Sequence, residues 1–117
     1  MKLHHHILHH LFPTFNFLQK TKENFLNYSK DDLRVLLFHD IPVCHYSNFT
    51  KQINHISKNW NIISPNDFVK IIEKRKPLKG KNVLLTFDDG FLSQKMIAEK
   101  VLNPMGIKGL FFLVTDF

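Results

Sequence analysis

From residue 33 onward the chain alternates short apolar runs with amphipathic stretches, and the two periods separate cleanly. Val35-Leu36-Leu37-Phe38 and Val83-Leu84-Leu85-Thr86-Phe87 are nearly continuous in apolar character, the pattern of strands buried on both faces of a parallel sheet. Strands are predicted over residues 33–39, 61–63, the run ending at Phe87, and 109–115. A first helix is predicted from about Ser47, where Phe49, Ile53 and Ile56 share a face. A second follows Ser64-Pro65-Asn66-Asp67: Ser64 can cap, Pro65 suits the first helical position and Asp67 favours the helix N-terminus. It carries Phe68, Ile71 and Ile72 inward and ends before Pro77. A third helix is predicted over residues 92–103, with Met96, Ile97 and Val101 on one face and Pro104 and Gly106 closing it. Strands and helices in strict alternation make parallel βαβ units, and hence an α/β fold. Strand C-termini then point to one side, where sites are built. His39, Asp88, Asp89 and Asp116 all fall at such ends and could converge there.

The segment Thr86-Phe87-Asp88-Asp89-Gly90 is the strongest candidate for chemistry. It sets two adjacent carboxylates on a tight turn, and Gly90 lets the backbone bend there at low steric cost. Side-by-side carboxylates repel, so a cation, a shared proton or water must offset the repulsion. A metal is the leading candidate. The structural alternative is a hydrogen-bonded turn in which one Asp caps the following helix.

The segment TFDDG resembles the first motif of the polysaccharide deacetylases, the NodB-homology group of carbohydrate esterase family four. Val35-Leu36-Leu37-Phe38-His39-Asp40-Ile41 resembles that family's opening strand with its aromatic-His ending. Trp60-Asn61-Ile62-Ile63-Ser64 followed by Asp67-Phe68-Val69 resembles its second strand and helix, and residues 105–114 its next strand. The likeness runs from about Leu33 to the last residue. It implies the first part of an incomplete, irregular (β/α) barrel: an N-terminal extension over residues 1–30 and a partial domain over residues 31–117, truncated at its C-terminus. It further implies a metal-dependent deacetylase that removes N-acetyl groups from a polysaccharide or oligosaccharide, with Asp89 as metal ligand, Asp88 as general base and His39 lining the substrate groove. The divalent metal would be zinc. Its remaining ligands in the family are two His of a later His-x-x-x-His motif, which this chain lacks, so the expected site is incomplete and inactive as it stands. A non-catalytic remnant or sugar-binding module of the same fold is the alternative. Phosphoryl transfer at an acidic cluster is a third possibility, weakened by the lack of an Asp-x-Asp after another strand.

Composition narrows the rest. The 117 residues allow one small domain, and the single Cys44 excludes an internal disulfide. A net charge of +6 arises from scattered Lys, with a local cluster only at Lys74, Arg75, Lys76, Lys79 and Lys81. Such a cluster reads as a solvated helix end and loop, so no nucleic-acid partner is expected. No run reaches the ~20 apolar residues of a transmembrane helix. The first residues lack a clean apolar core and a cleavage site, which points to a cytoplasmic protein. An acetylated glycan is the one partner implied, and the oligomeric state stays open. Residues 1–30 are rich in His and Phe, with Leu8, Leu11 and Phe12 able to form one helical face. His5 with His9 and His6 with His10 have the spacing that stacks two rings on one helical turn; solvated His is the plainer reading. Phe87, Phe91, Phe111 and Phe112 could stack on sugars, but strand packing explains such residues more simply, as it does Trp60.

Overall fold

The computed structural model describes residues 30–116, so the His-rich extension and its two His pairs lie outside the described residues. Strand β1 (Asp32–Phe38) leads through a short 3-10 turn (Val43–His45) into helix α1 (Tyr46–Ser57). Strand β2 (Asn61–Ile62), helix α2 (Pro65–Ile72) and strand β3 (Lys81–Phe87) follow. Helix α3 (Leu92–Ile97) continues as a π turn (Ala98–Leu102) and a 3-10 turn (Asn103–Met105) before strand β4 (Leu110–Phe111).

All pairings are parallel, and β3 is the hub. β1 lies along its whole length, from Asp32 opposite Lys81 to Phe38 opposite Phe87. The other edge of β3 is divided between two short strands. β2 takes its beginning, at Asn82 and Val83, and β4 takes its end, at Thr86 and Phe87. The sheet is open among the described residues, as expected of the first part of a (β/α) barrel. β2 does not separate β1 from β3, so sheet order differs from chain order.

Alternation along β3 explains where the helices sit. Val83, Leu85 and Phe87 point to one face, where they pack with Phe49 and Ile53 of α1, Ile97 of α3, and Trp60, Val101 and Leu102. Leu84 points to the opposite face, against Ile63, Ile71 and the partly buried Phe68 and Leu110. With helices on both sides, every residue from Asn82 to Phe87 is buried, which is why this strand reads as a continuous apolar run. Each fully covered Leu, Ile or Phe contributes about 1.5–3 kcal/mol.

The register also builds an aromatic row. Phe38, Phe87 and Phe111 stand side by side on β1, β3 and β4, with ring centroids 5.3 and 4.7 Å apart and planes within 23° and 11°. Phe49 meets Phe38 edge-on at 5.2 Å. Gly109 lets β4 come this close, because a Cβ there would lie 2.8 Å from the Phe87 ring. Helix α2 starts as its sequence predicts: the Asp67 N–H donates to Ser64 Oγ at 3.1 Å, and Pro65 occupies the first turn. Lys76 Nζ donates to Asp67 Oδ1 at 2.8 Å. The Lys76 ammonium, and after it the Ser64 hydroxyl, hold the Asp67 carboxyl below the usual aspartate range.

Three expectations are revised. Ile72 is 39% exposed, because α2 ends at this residue and Lys74 turns the chain away at φ +59. The third helix stays α-helical only to Ile97. Pro104 has no N–H for the Lys100 carbonyl and its ring crowds that group, so the helix widens and then tightens before Gly106 ends it at φ +68. The last strand pairs over Leu110–Phe111 rather than residues 109–115. Its partner stops at Phe87, and after the Phe112 N–H donates to the Phe87 carbonyl at 2.8 Å no β3 backbone remains to pair with.

Candidate functional site

β1 and β3 end in step, Phe38 opposite Phe87, so the next residues, His39 and Asp88, emerge together. A last ladder bond, from the Asp88 N–H to the Phe38 carbonyl at 2.9 Å, fixes that level. Just beneath it, Thr86 Oγ1 donates to the Leu36 carbonyl at 3.1 Å. The chain then turns through two consecutive left-handed residues, Asp89 at φ +75 and Gly90 at φ +68. Asp tolerates this region better than most residues, at a cost of order 1 kcal/mol. The turn swings the Asp89 carboxylate back over the strand ends.

There it meets His39, whose Nδ1 lies 3.2 Å from Asp89 Oδ2. A carboxylate only accepts, so Nδ1 carries the proton and donates. The two side chains are 27% and 51% exposed, which keeps the pair accessible and its contribution to stability small. Asp88 is half-buried beside them. Asp88 and Asp89 line an open groove of about 480 Å³ with Leu37, Phe112, Leu113 and Val114. A second cavity of about 350 Å³, between the start of α2 and β4, contains Lys108 and Ser64 but no acidic pair.

The predicted residues therefore separate into two groups. His39, Asp88 and Asp89 come together; Asp116 lies exposed beyond β4. Asp40 accepts from Ser93 Oγ at 2.6 Å. Phe87 and Phe111 are packing residues, whereas Phe91 and Phe112 are 42% and 51% exposed, and Phe112 borders the acidic groove. Trp60 is core, 6% exposed, beneath the Arg34 guanidinium at 4.9 Å. Cys44 is exposed. Lys74, Arg75, Lys76 and Lys79 are exposed at the end of α2, where Arg75 pairs with Glu73 and Lys76 with Asp67. No helix among the described residues is long and apolar enough to cross a membrane.

The sequence reading passed over Ser93 and Gln94, on the first turn of α3. Ser93 Oγ accepts from the Ile41 N–H at 3.4 Å, and its carbonyl accepts from the Tyr46 hydroxyl at 3.2 Å. Gln94 is 1% exposed, and its Nε2 donates to the carbonyls of His39, at 3.2 Å, and Asp88. A signal was present: Gln94 precedes Ile97 and Val101 at three and seven residues, so a carboxamide stands on an otherwise apolar stripe.

The donor set for a cation is partial. Asp89 offers a carboxylate, but no group of three or more His, Cys, Asp and Glu among the described residues is placed to hold an ion. Catalytic zinc normally takes three protein ligands, so the described residues by themselves do not fit one.

No protein-family profile matches the chain, and no curated protein does. One solved structure is similar, that of IcaB from Ammonifex degensii, with a TM-score of 0.65 and 32% sequence identity. The match covers 71% of this chain and 38% of that one, so the chain spans well under half the length of that protein. The likeness supports a fold of the polysaccharide deacetylase type.

Proposed function

We propose that residues 31–117 form part of a metal-dependent carbohydrate deacetylase and supply one side of its active site. The observation that carries this reading is the convergence of Asp88, Asp89 and His39 at the paired ends of β1 and β3, with the two carboxylates, though not His39, lining a groove open to solvent. Asp89 would be the chain's ligand to a divalent cation, zinc by preference, completed by His ligands other than the described residues. Such a cation, when bound, polarises water and the substrate carbonyl. Asp88, next along the turn, is the base that takes the proton from the attacking water. Water adds to the acetyl carbon, the C–N bond breaks as the proton taken up by Asp88 passes to the leaving nitrogen, and the products are a sugar amine and acetate. His39 holds Asp89 and borders the approach of the glycan. Phe112 adds an exposed apolar ring to the same groove, suited to the apolar face of a pyranose.

A non-catalytic sugar-binding module of the same fold is the second reading, and the partial donor set favours it. Zinc titration by calorimetry separates the two, run on the full chain with His5, His6, His9 and His10 replaced by alanine and with excess imidazole added to stand in for the histidine ligands that the described residues lack. In the first reading Asp89→Ala weakens zinc binding at least about tenfold. Equal affinity in both proteins, with retained binding of N-acetylated oligosaccharide, supports the module.

A further inference from the structure

We propose that Gln94 is a positioning residue of this site, a clamp that sets where the His39 ring stands relative to Asp88 and Asp89. The last ladder bond between β1 and β3 is made by the Asp88 N–H. Beyond it the two chains part, one toward the 3-10 turn at Val43, the other into the left-handed turn at Asp89. The Gln94 carboxamide bridges them where they part, through the carbonyls of the two residues that carry the imidazole and the first carboxylate. Both partners are acceptors, so only the NH2 end of the amide can face them, and its orientation follows from chemistry. Ser93, one residue earlier, bonds Asp40 and the Ile41 N–H, so a single turn of α3 grips residues 39, 40 and 41 in succession.

Packing alone does not account for this side chain. Gln94 Oε1 is buried with no partner, an arrangement that costs stability. A methionine of similar length would fill the same space without an orphaned acceptor. What a methionine cannot do is hold two carbonyls. Because Asp89 follows Asp88 directly, a shift of the Asp88 carbonyl rotates the peptide that aims the Asp89 carboxylate. A shift of the His39 carbonyl moves the ring. Loss of the clamp therefore loosens the hydrogen bond from His39 Nδ1 to Asp89 Oδ2 before it loosens the core.

The inference rests on the reading of His39, Asp88 and Asp89 as the site, but its test does not depend on turnover. Nitrogen NMR of the imidazoles in the full chain, above the ordinary histidine titration range, reports which ring nitrogen carries the proton. The His39 signals are assigned by their loss in His39→Asn. In the unsubstituted chain the proton is expected on Nδ1. In Gln94→Met the majority is expected to move to Nε2, while the backbone amide shifts of β3 stay in place. A His39 spectrum unchanged in Gln94→Met, even with a lower melting temperature, makes Gln94 merely structural and overturns the proposal. A second measurement needs no variant: the Gln94 carboxamide protons should exchange with solvent far more slowly than those of exposed Asn54 or Asn59. Exchange as fast as theirs overturns the clamp whether or not Gln94→Met folds. If zinc and glycan binding fail while the His39 shift occurs, the functional reading falls and the clamp stands.

Discussion

Single side chains carry the sharpest consequences. Gly109 and Gly90 both sit against neighbours, yet they should respond differently to an added methyl. At Gly109 the methyl would meet the ring of Phe87, which is fully buried and stacked between two other rings, so β4 must move outward. Gly109→Ala is expected to cost about 1–3 kcal/mol by chemical denaturation. At Gly90 the methyl would meet the end of the Leu113 side chain, which is 68% exposed and free to swing away. The cost of Gly90→Ala is then that of the left-handed backbone, about 1–2 kcal/mol. The two Phe types at the site divide likewise: Phe87→Ala should lose about 3–5 kcal/mol, whereas Phe112→Ala should change stability by less than about 0.5 kcal/mol. A drop in glycan affinity in Phe112→Ala, by equilibrium binding, would mark the ring as a contact surface. Asp67 supplies a pH dependence. Its folded carboxyl titrates below its unfolded one, so its stabilising contribution is present above the ordinary aspartate range and is lost as pH falls through the lowered value. Melting curves of the chain and of Asp67→Asn should therefore differ at neutral pH and converge in acid.

Elements were legible where local chemistry decides them and not where a partner does. Ser64-Pro65-Asn66-Asp67 writes its own helix start, because cap, proline and acidic group act within one turn. Ser64→Ala should accordingly cost about 1 kcal/mol. The run from Val83 to Phe87 announced a doubly buried strand, and Asp88-Asp89-Gly90 announced a turn. The extent of β4 could not be read the same way. Phe112, Leu113 and Val114 have every local preference for a strand, but a strand ends where its partner does, and Phe87 is the last paired residue of β3. The placement of β2 beside the start of β3 is likewise tertiary. Of the site, the carboxylates were visible from their turn. The bond between His39 and Asp89 spans 50 positions, and the role of Gln94 depends on two carbonyls from different strands. No local pattern encodes either.

Taken whole, the described residues present an unequal surface. One face of the sheet is sealed by α1 and α3, and the other is covered by α2 only around Leu84 and Ile71. Val35 in the middle of β1, and Phe112, Leu113 and Val114 just past β4, remain exposed. An apolar strip next to unpaired backbone favours association. Sedimentation velocity should show assembly that grows with protein concentration, and Leu113→Lys with Val114→Lys should reduce it without lowering the melting temperature.

The hub position of β3 bears on how such a chain emerges from a ribosome. β1, β2 and β4 pair with β3, and none of them pairs with another. Until Lys81–Phe87 has been synthesised, β1 and β2 have no strand among the described residues to dock on, and their apolar residues wait, those of β1 through about fifty positions of nascent chain and those of β2 through about twenty. Sheet formation then begins only when TFDDG clears the exit tunnel, so the segment that holds the carboxylates is also the one whose arrival triggers folding. Nascent chains stalled before residue 81 should be protease-sensitive throughout, and those stalled well after residue 111 should resist.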